Sequence, residues 1–340
     1  MKIKYFLIGL GLMVLLVACN NNVDSSGHDQ SFDITGNTTS SATDNNDDAA
    51  GTTTLSDIIP DVTGDNDTNG TDNTDNTDNT DNTGTDVTDD TVAAIAPEEG
   101  AIASNALSDE AIAKLPTKKQ GFGMGKMVDK NNRPEASVAM QKKYGKYDAH
   151  FIKEIDKCIY LTFDEGYEQG YTGEILDTLK EKKVTATFFI TYDYAKRNAD
   201  LIKRMIDEGH VVGNHSYSHP SMPTLSIEKA KEEIQLLHDY IKEEFAYEMW
   251  LFRPPMGEFS EQSLALTQKL GYKSVFWSFA YVDWNVDSQM GRNAAFKKVT
   301  DGTHEGAIYL LHAVSKDNTD ILGDVIDYWR EQGLQVKAFS

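Results

Sequence analysis

The sequence predicts an α/β protein built on a parallel sheet, either closed into a barrel or open and doubly wound. Three observations predict it. From Lys157 onward, seven short β-rich runs alternate with six amphipathic helical segments, the pattern of repeated strand–helix units. Glycines stand just past helical segments, at Gly209, Gly271 and Gly333, where a left-handed residue closes a helix. Polar clusters follow the strand segments, as in a β/α barrel, whose site is built from loops at the C-terminal ends of strands.

The expected strands cover 158–163, 185–191, 210–214, 249–253, 273–279, 307–311 and 334–339. The expected helices cover 173–183, 199–208, 227–245, 261–270, 293–300 and 320–332, with Ser226 and Ser260 at N-cap positions. Residues 151–340 form the folded α/β domain in this reading. Ahead of it, 101–150 reads as a polar extension wrapped on the domain, with Ser108 capping a short helix over 109–115.

Residues 20–100 differ in kind. They carry 19 acidic residues and no Lys or Arg, and residues 71–82 repeat Thr-Asp-Asn four times. Such a stretch has too little apolar surface to offset chain entropy, so it is expected to be disordered and extended by its own charge. It reads as a tether. Calcium binding is not expected there, because the glycine and glutamate spacing of an EF-hand loop is missing. The chain's net charge of -22 is largely this segment's, since 101–340 holds 35 acidic against 30 basic residues. No basic patch invites nucleic acid, and no obligate protein partner is expected.

Residues 1–19 read as an export signal. Lys2 and Lys4 precede an apolar run over 5–17, too short to span a bilayer. Leu16-Val17-Ala18-Cys19 resembles a bacterial lipobox, which implies cleavage and lipidation at Cys19 and anchoring on the outer face of the cell membrane. Cys158 then has no partner, and its apolar run suits a small buried thiol.

The chemistry-bearing residues come next. His215 and His219 are four apart, so a helical turn would aim both rings at one ion, although surface helices carry the same spacing. Asp164 and Glu165 follow the first strand and offer carboxylates for a base and a ligand, or equally a solvated turn. Arg253, beside Pro254 and Pro255, can clamp Asp164 or make a surface ion pair. His312 ends a rigid apolar run and suits a general acid. His210, His238 and His304 sit at a strand start, in a helix and in a loop, and receive no role.

Five stretches resemble, in order, the motifs of the polysaccharide deacetylases, the NodB-homology family. They are Thr162-Phe163-Asp164-Glu165-Gly166, His215-Ser216-Tyr217-Ser218-His219, Arg253-Pro254-Pro255-Met256-Gly257, Asp283-Trp284 and Leu310-Leu311-His312. The likeness covers about residues 150–340. Over 162–172, 275–284 and 310–318 it is closer to one branch, the muramic-acid de-N-acetylases that make δ-lactam in spore cortex peptidoglycan.

The resemblance implies an incomplete seven-stranded (β/α) barrel and a divalent ion, zinc first, on His215 and His219 with Glu165. It implies Asp164 as base, Arg253 as its orienter and His312 as acid. Trp284 and Leu310 would wall the acetyl methyl, with Asp283, Pro255 and Tyr167 on the substrate side. The implied activity is removal of N-acetyl groups from a cell-wall glycan, peptidoglycan with muramic acid ahead of glucosamine. An O-acetyl esterase for xylan-like glycans, or an inactive wall-binding lipoprotein, are the alternatives. Two departures stand out. Glu165 occupies the place of a second family Asp, and Ala280 occupies that of an Asp that tunes the acid histidine. His312 is therefore expected to lack that partner.

Overall fold

The computed structural model describes residues 106–340. The export signal, Cys19 and the acidic linker lie outside the described residues. Eight strands of that span run parallel in one sheet. They are β1 (Ala149–His150), β2 (Cys158–Glu165), β3 (Thr187–Ile190), β4 (Val211–Asn214), β5 (Leu251–Phe252), β6 (Lys273–Val275), β7 (Ala307–His312) and β8 (Gln335–Lys337). β2 to β8 are the seven strands expected, several of them shorter than the apolar runs that announced them. β1 is contributed by the extension.

The sheet runs β2-β3-β4-β5-β6-β1, and β7 lies along the other edge of β2. β8 pairs with Cys158–Tyr160 of β2, below the stretch that β3 uses. Beyond β6, Phe279 forms a lone parallel bridge with Tyr309 of β7. The sheet therefore curls into an incomplete barrel.

Every residue of β2 is buried, as expected of a parallel strand covered on both faces. Alternation divides its side chains. Cys158 and Tyr160 join Phe189, Val211, Leu251 and Ile308 in a small interior cluster. Ile159, Leu161 and Phe163 face outward into the larger core beneath the helices. Gly213 in β4 is required by the interior packing, because a Cβ there would come within 2.5 Å of the Phe189 ring.

The helices are α1 (Asp109–Ala113), α2 (Glu135–Tyr144), α3 (Thr172–Glu181), α4 (Tyr192–Arg197), α5 (Ala199–Asp207), α6 (Ile227–Phe245), α7 (Glu261–Lys269), α8 (Arg292–Asp301) and α9 (Lys316–Glu331). The Ser108, Ser226 and Ser260 side chains accept the expected capping N–H groups. Gly209, Gly271 and Gly333 all take positive φ. α9 starts earlier than expected because Ser315 caps it, accepting the N–H of Asn318.

The extension is not merely a polar wrap. Its Phe122, Tyr144 and Tyr147 are buried in the main core, beside Phe151 of the domain. Gln120–Gly121 pairs antiparallel with Glu258–Phe259, which stitches the extension to the segment after β5. Among the described residues no helix is long and apolar enough to cross a membrane.

Candidate active site

The parity that divides the core also builds the site. Interior positions continue upward from Cys158 and Tyr160 to Thr162 and Asp164, and from Ile308 to Leu310 and His312. Asp164 and His312 are register partners on adjacent strands. The same alternation carries Val211 and Gly213 to His215, and Leu251 to Arg253. Four side chains from four strands thus meet at the C-terminal mouth, where barrel enzymes place their chemistry.

Asp164 and Arg253 form a buried ion pair, with Nη1 donating to Oδ1 at 2.6 Å. The other guanidinium donors are used as well. Nη2 donates to Thr162 Oγ1 at 2.8 Å and to the Phe276 carbonyl at 3.2 Å, and Nε donates to the Val275 carbonyl at 3.0 Å. The plane also covers the Phe189 ring at 4.1 Å. Burial pushes the Asp164 carboxyl up, but the positive charge of Arg253, helped by His215 and His312, outweighs it. The net position is below the usual carboxylate range, so Asp164 is ionised at neutral pH.

His215 is fixed in one tautomer. Its Nδ1 lies 2.8 Å from the Arg253 carbonyl, which can only accept, so Nδ1 carries the proton and Nε2 offers a bare lone pair. Burial drives this histidine down to about 4, and it is neutral at neutral pH. Nε2 lies 3.2 Å from Nε2 of His219 and 3.5 Å from Oδ2 of Asp164.

The two rings do not meet through a helical turn. Ser216 and His219 both take left-handed φ, at 69° and 59°, and the loop is laced by side chains. Asn214 Oδ1 accepts the Ser216 N–H, and Ser216 Oγ accepts the His219 N–H. Glu233 of α6 receives the Ser218 N–H at 2.8 Å and its hydroxyl at 2.6 Å. Strained backbone held by its surroundings is common where a ligand loop must keep one shape.

A divalent ion fits this pair. Two imidazole nitrogens on one tetrahedral zinc stand about 3.3 Å apart, given bonds of about 2.0–2.1 Å, and the observed separation is 3.2 Å. Among the described residues no three His, Cys, Asp or Glu side chains form a complete ion cage. The histidines supply two donors, Asp164 stands beside them, and the other positions stay open.

Glu165 does not join them. As the next residue along β2 it points to the opposite face, into the helix layer, where Thr172 Oγ1 lies 3.5 Å from Oε1. It is fully buried and its Oε2 has no hydrogen-bond partner among the described residues. Burial, then the charges of Glu168 and Asp164, raise its carboxyl well above the usual range.

His312 does have a carboxylate partner, and it is Asp283. Nδ1 of the ring is 2.7 Å from Oδ1, and the His312 N–H donates to Oδ2 at 2.9 Å. Asn318 Nδ2 donates to the same Oδ2 at 2.6 Å, and the Tyr281 hydroxyl bonds Asn318 in turn. Burial lowers the proton affinity of His312, but the Asp283 hydrogen bond and charge, with Asp164 behind them, raise it above the ordinary value. Asp283 is thus buried beneath the ring and is not on the substrate side. Nothing local in the sequence marks Asn318 or Tyr281 for this role.

Two cavities of about 630 and about 470 Å³ meet over the site, sharing Asp164, His215, His219, Trp284 and His312. Together they make a groove with the catalytic candidates in its middle. Trp284 is 48% exposed, its ring 5.4 Å from that of His312. Leu310 lines one lobe, and Tyr167 lines the other. Both prolines are buried, and Pro254 rather than Pro255 lines the groove.

Comparison with known proteins places this geometry in a family. The polysaccharide deacetylase family model matches residues 152–275. The peptidoglycan-N-acetylmuramic acid deacetylase PdaA of Bacillus subtilis (strain 168) is 40% identical over 241 residues, covering 70% of this chain and 90% of PdaA. The chain belongs to the polysaccharide deacetylase family, hydrolases acting on amide C–N bonds.

Solved structures agree. That of B. subtilis PdaA, a family 4 carbohydrate esterase, aligns with a TM-score of 0.63 at 40% identity, covering 66% of this chain and 96% of PdaA. A family 4 carbohydrate esterase from Bacillus anthracis aligns with a TM-score of 0.54 at 41% identity, covering 66% and 95%.

Proposed function

We propose that the protein is a peptidoglycan deacetylase that removes the N-acetyl group of muramic acid residues. The observation that carries the reaction type is the meeting of Asp164, His215, His219 and His312 in mid-groove. The likeness to a muramic acid deacetylase over nearly all of that relative's length supports the sugar.

His215 and His219 would hold the divalent ion, zinc first. Such an ion supplies a Lewis acid that polarises an acetamide carbonyl and acidifies water. Asp164, kept ionised by Arg253, takes the proton of the attacking water as general base. His312, charged through Asp283, gives a proton to the departing sugar amine. Trp284 and Leu310 offer apolar surface to the acetyl methyl and shield the reacting atoms from bulk water.

The segments outside the described residues complete the proposal. Cleavage before Cys19 and its lipidation would anchor the enzyme on the outer membrane face, and 20–100 would tether residues 101–340 within reach of the wall. Cys19→Ala should move the protein from the membrane fraction to the medium.

The central test is acetate release from purified peptidoglycan, with mass spectrometry of the muropeptides. Loss of one acetyl group from muramic acid is expected. Silence in the wild type, or full activity in Asp164→Asn, would overturn the proposal.

A further inference from the structure

The groove has two unlike ends. Away from the shared catalytic residues, one lobe is lined by Thr191, Asp193, Tyr217 and Ser218. The other is lined by residues that include Met124, Met256, Trp277, Val282 and Leu310, and among the described residues no Lys or Arg reaches it. A substrate held by its acetamide in mid-groove therefore meets polar chemistry on one flank and apolar chemistry on the other.

The apolar lobe is partly made by residues outside the family match, which begins at 152. Met124 belongs to the extension and is held firmly there. Two residues earlier, the Phe122 N–H donates to the Gly257 carbonyl at 3.0 Å. The Phe122 ring packs edge-on against Phe151 at 4.8 Å and Trp277 at 5.4 Å. Gly257 has φ 65°, and a Cβ there would meet Trp277 at 2.6 Å, so the turn over Pro255–Gly257 lies tight on that indole. This turn carries Met256, which is 53% exposed. Two anchored segments thus present two thioethers to one lobe.

We propose that Met124, with Met256, is a specificity-determining residue that receives the lactyl ether of muramic acid. Muramic acid differs from glucosamine by that one substituent, which replaces a hydroxyl on the carbon next to the acetamide-bearing one. In a lobe lined mainly by apolar side chains a hydroxyl loses water and gains little. A methyl-bearing ether gains contact with the polarizable, adaptable thioethers. With no cation in the lobe, the lactyl carboxyl stays toward the open mouth.

The inference rests on the peptidoglycan reading, and the experiment separates the two. The full chain, loaded with zinc, is assayed for acetate release from muramic-containing glycan strands and from chitooligosaccharides. Met124→Gln should lower kcat/KM on the muramic substrate by about five- to tenfold and change it less than about twofold on the glucosamine substrate. Met124→Leu should restore the wild-type ratio. If the wild type acts on muramic acid alone, the same loss in Met124→Gln, with Met124→Leu active and both variants melting normally, supports the proposal. An equal loss on both substrates, or no loss on muramic acid, overturns it and leaves the deacetylase reading standing. A wild type that acts on glucosamine alone overturns it together with the muramic acid assignment and leaves only the deacetylase chemistry standing. A wild type silent on both overturns both.

Discussion

His312 and Asp283 are joined twice, through the ring Nδ1 at 2.7 Å and through the backbone N–H at 2.9 Å, on the two oxygens of one buried carboxylate. The double contact fixes the ring's rotation and puts a proton on Nδ1, which leaves Nε2 for the groove. It also makes the charged form of the ring cheaper, and a general acid has to be charged before it acts.

Replacing Asp283 with Asn should show this in a pH profile. The carboxylate's charge goes and the proton affinity of His312 falls. Loss of the protonated acid then begins at lower pH, so the descending limb of kcat/KM moves down. At neutral pH activity should drop about tenfold or more. A limb that stays in place would mean that Asp283 only supports the fold.

Arg253 sets the opposite limb. Its charge holds Asp164 below the usual carboxylate range against burial, which pulls the other way. In Arg253→Gln burial is unopposed, the carboxyl protonates at higher pH, and the ascending limb moves up. The variant also leaves a buried carboxylate unpaired, so denaturant unfolding should show a loss of about 3–5 kcal/mol. An unmoved limb with intact stability would refute both parts.

Metal binding distinguishes Glu165 from the histidines. His215→Gln or His219→Gln should weaken zinc binding by about a hundredfold or more, measured by calorimetry on the metal-free chain, because each removes a donor from an open site. Glu165→Gln should leave the affinity within about threefold, since Glu165 lies on the far face of β2, beside Thr172. A Glu165→Gln chain that no longer binds zinc would return this residue to the ligand set. Chelation should silence the wild type, and added zinc should restore it.

Glu165 marks the boundary between what the sequence carries locally and what the fold adds. The seven strands, the capping serines and the motifs carry local signals, and each stands where its signal places it. Parity along β2 was legible too: Cys158, Tyr160, Thr162 and Asp164 share a face, and Glu165 cannot. The resemblance, with an acidic residue at that place, pulled against the period-2 rule, and the period-2 rule prevailed. The Asp283 contact was hidden differently. It depends on how the long segment after β6 folds under His312, with Asn318 of α9 closing from behind, and no spacing in the chain announces that. Nothing local announces α2 and β1 either: the extension is polar in composition, yet residues such as Phe122 and Tyr144 are buried in the core.

Two histidines outside the site make acid stability a further test. His210 Nδ1 accepts the Ala186 N–H at 3.1 Å, and its Nε2 is buried without a partner among the described residues. His304 donates from Nδ1 to the Gly302 carbonyl and accepts the Ser278 hydroxyl at Nε2, both at 2.8 Å. Burial lowers each to about 4 from the ordinary 6.5. Between those values the unfolded chain binds protons that the native chain refuses, so stability falls as pH drops from about 6.5 toward about 4. The urea midpoint should decline steadily over that window. His210→Asn keeps an acceptor for Ala186 but cannot titrate, so it should flatten the decline. A midpoint constant down to about pH 4.5, or a slope unchanged by His210→Asn, would show that these rings take up protons without cost to the fold.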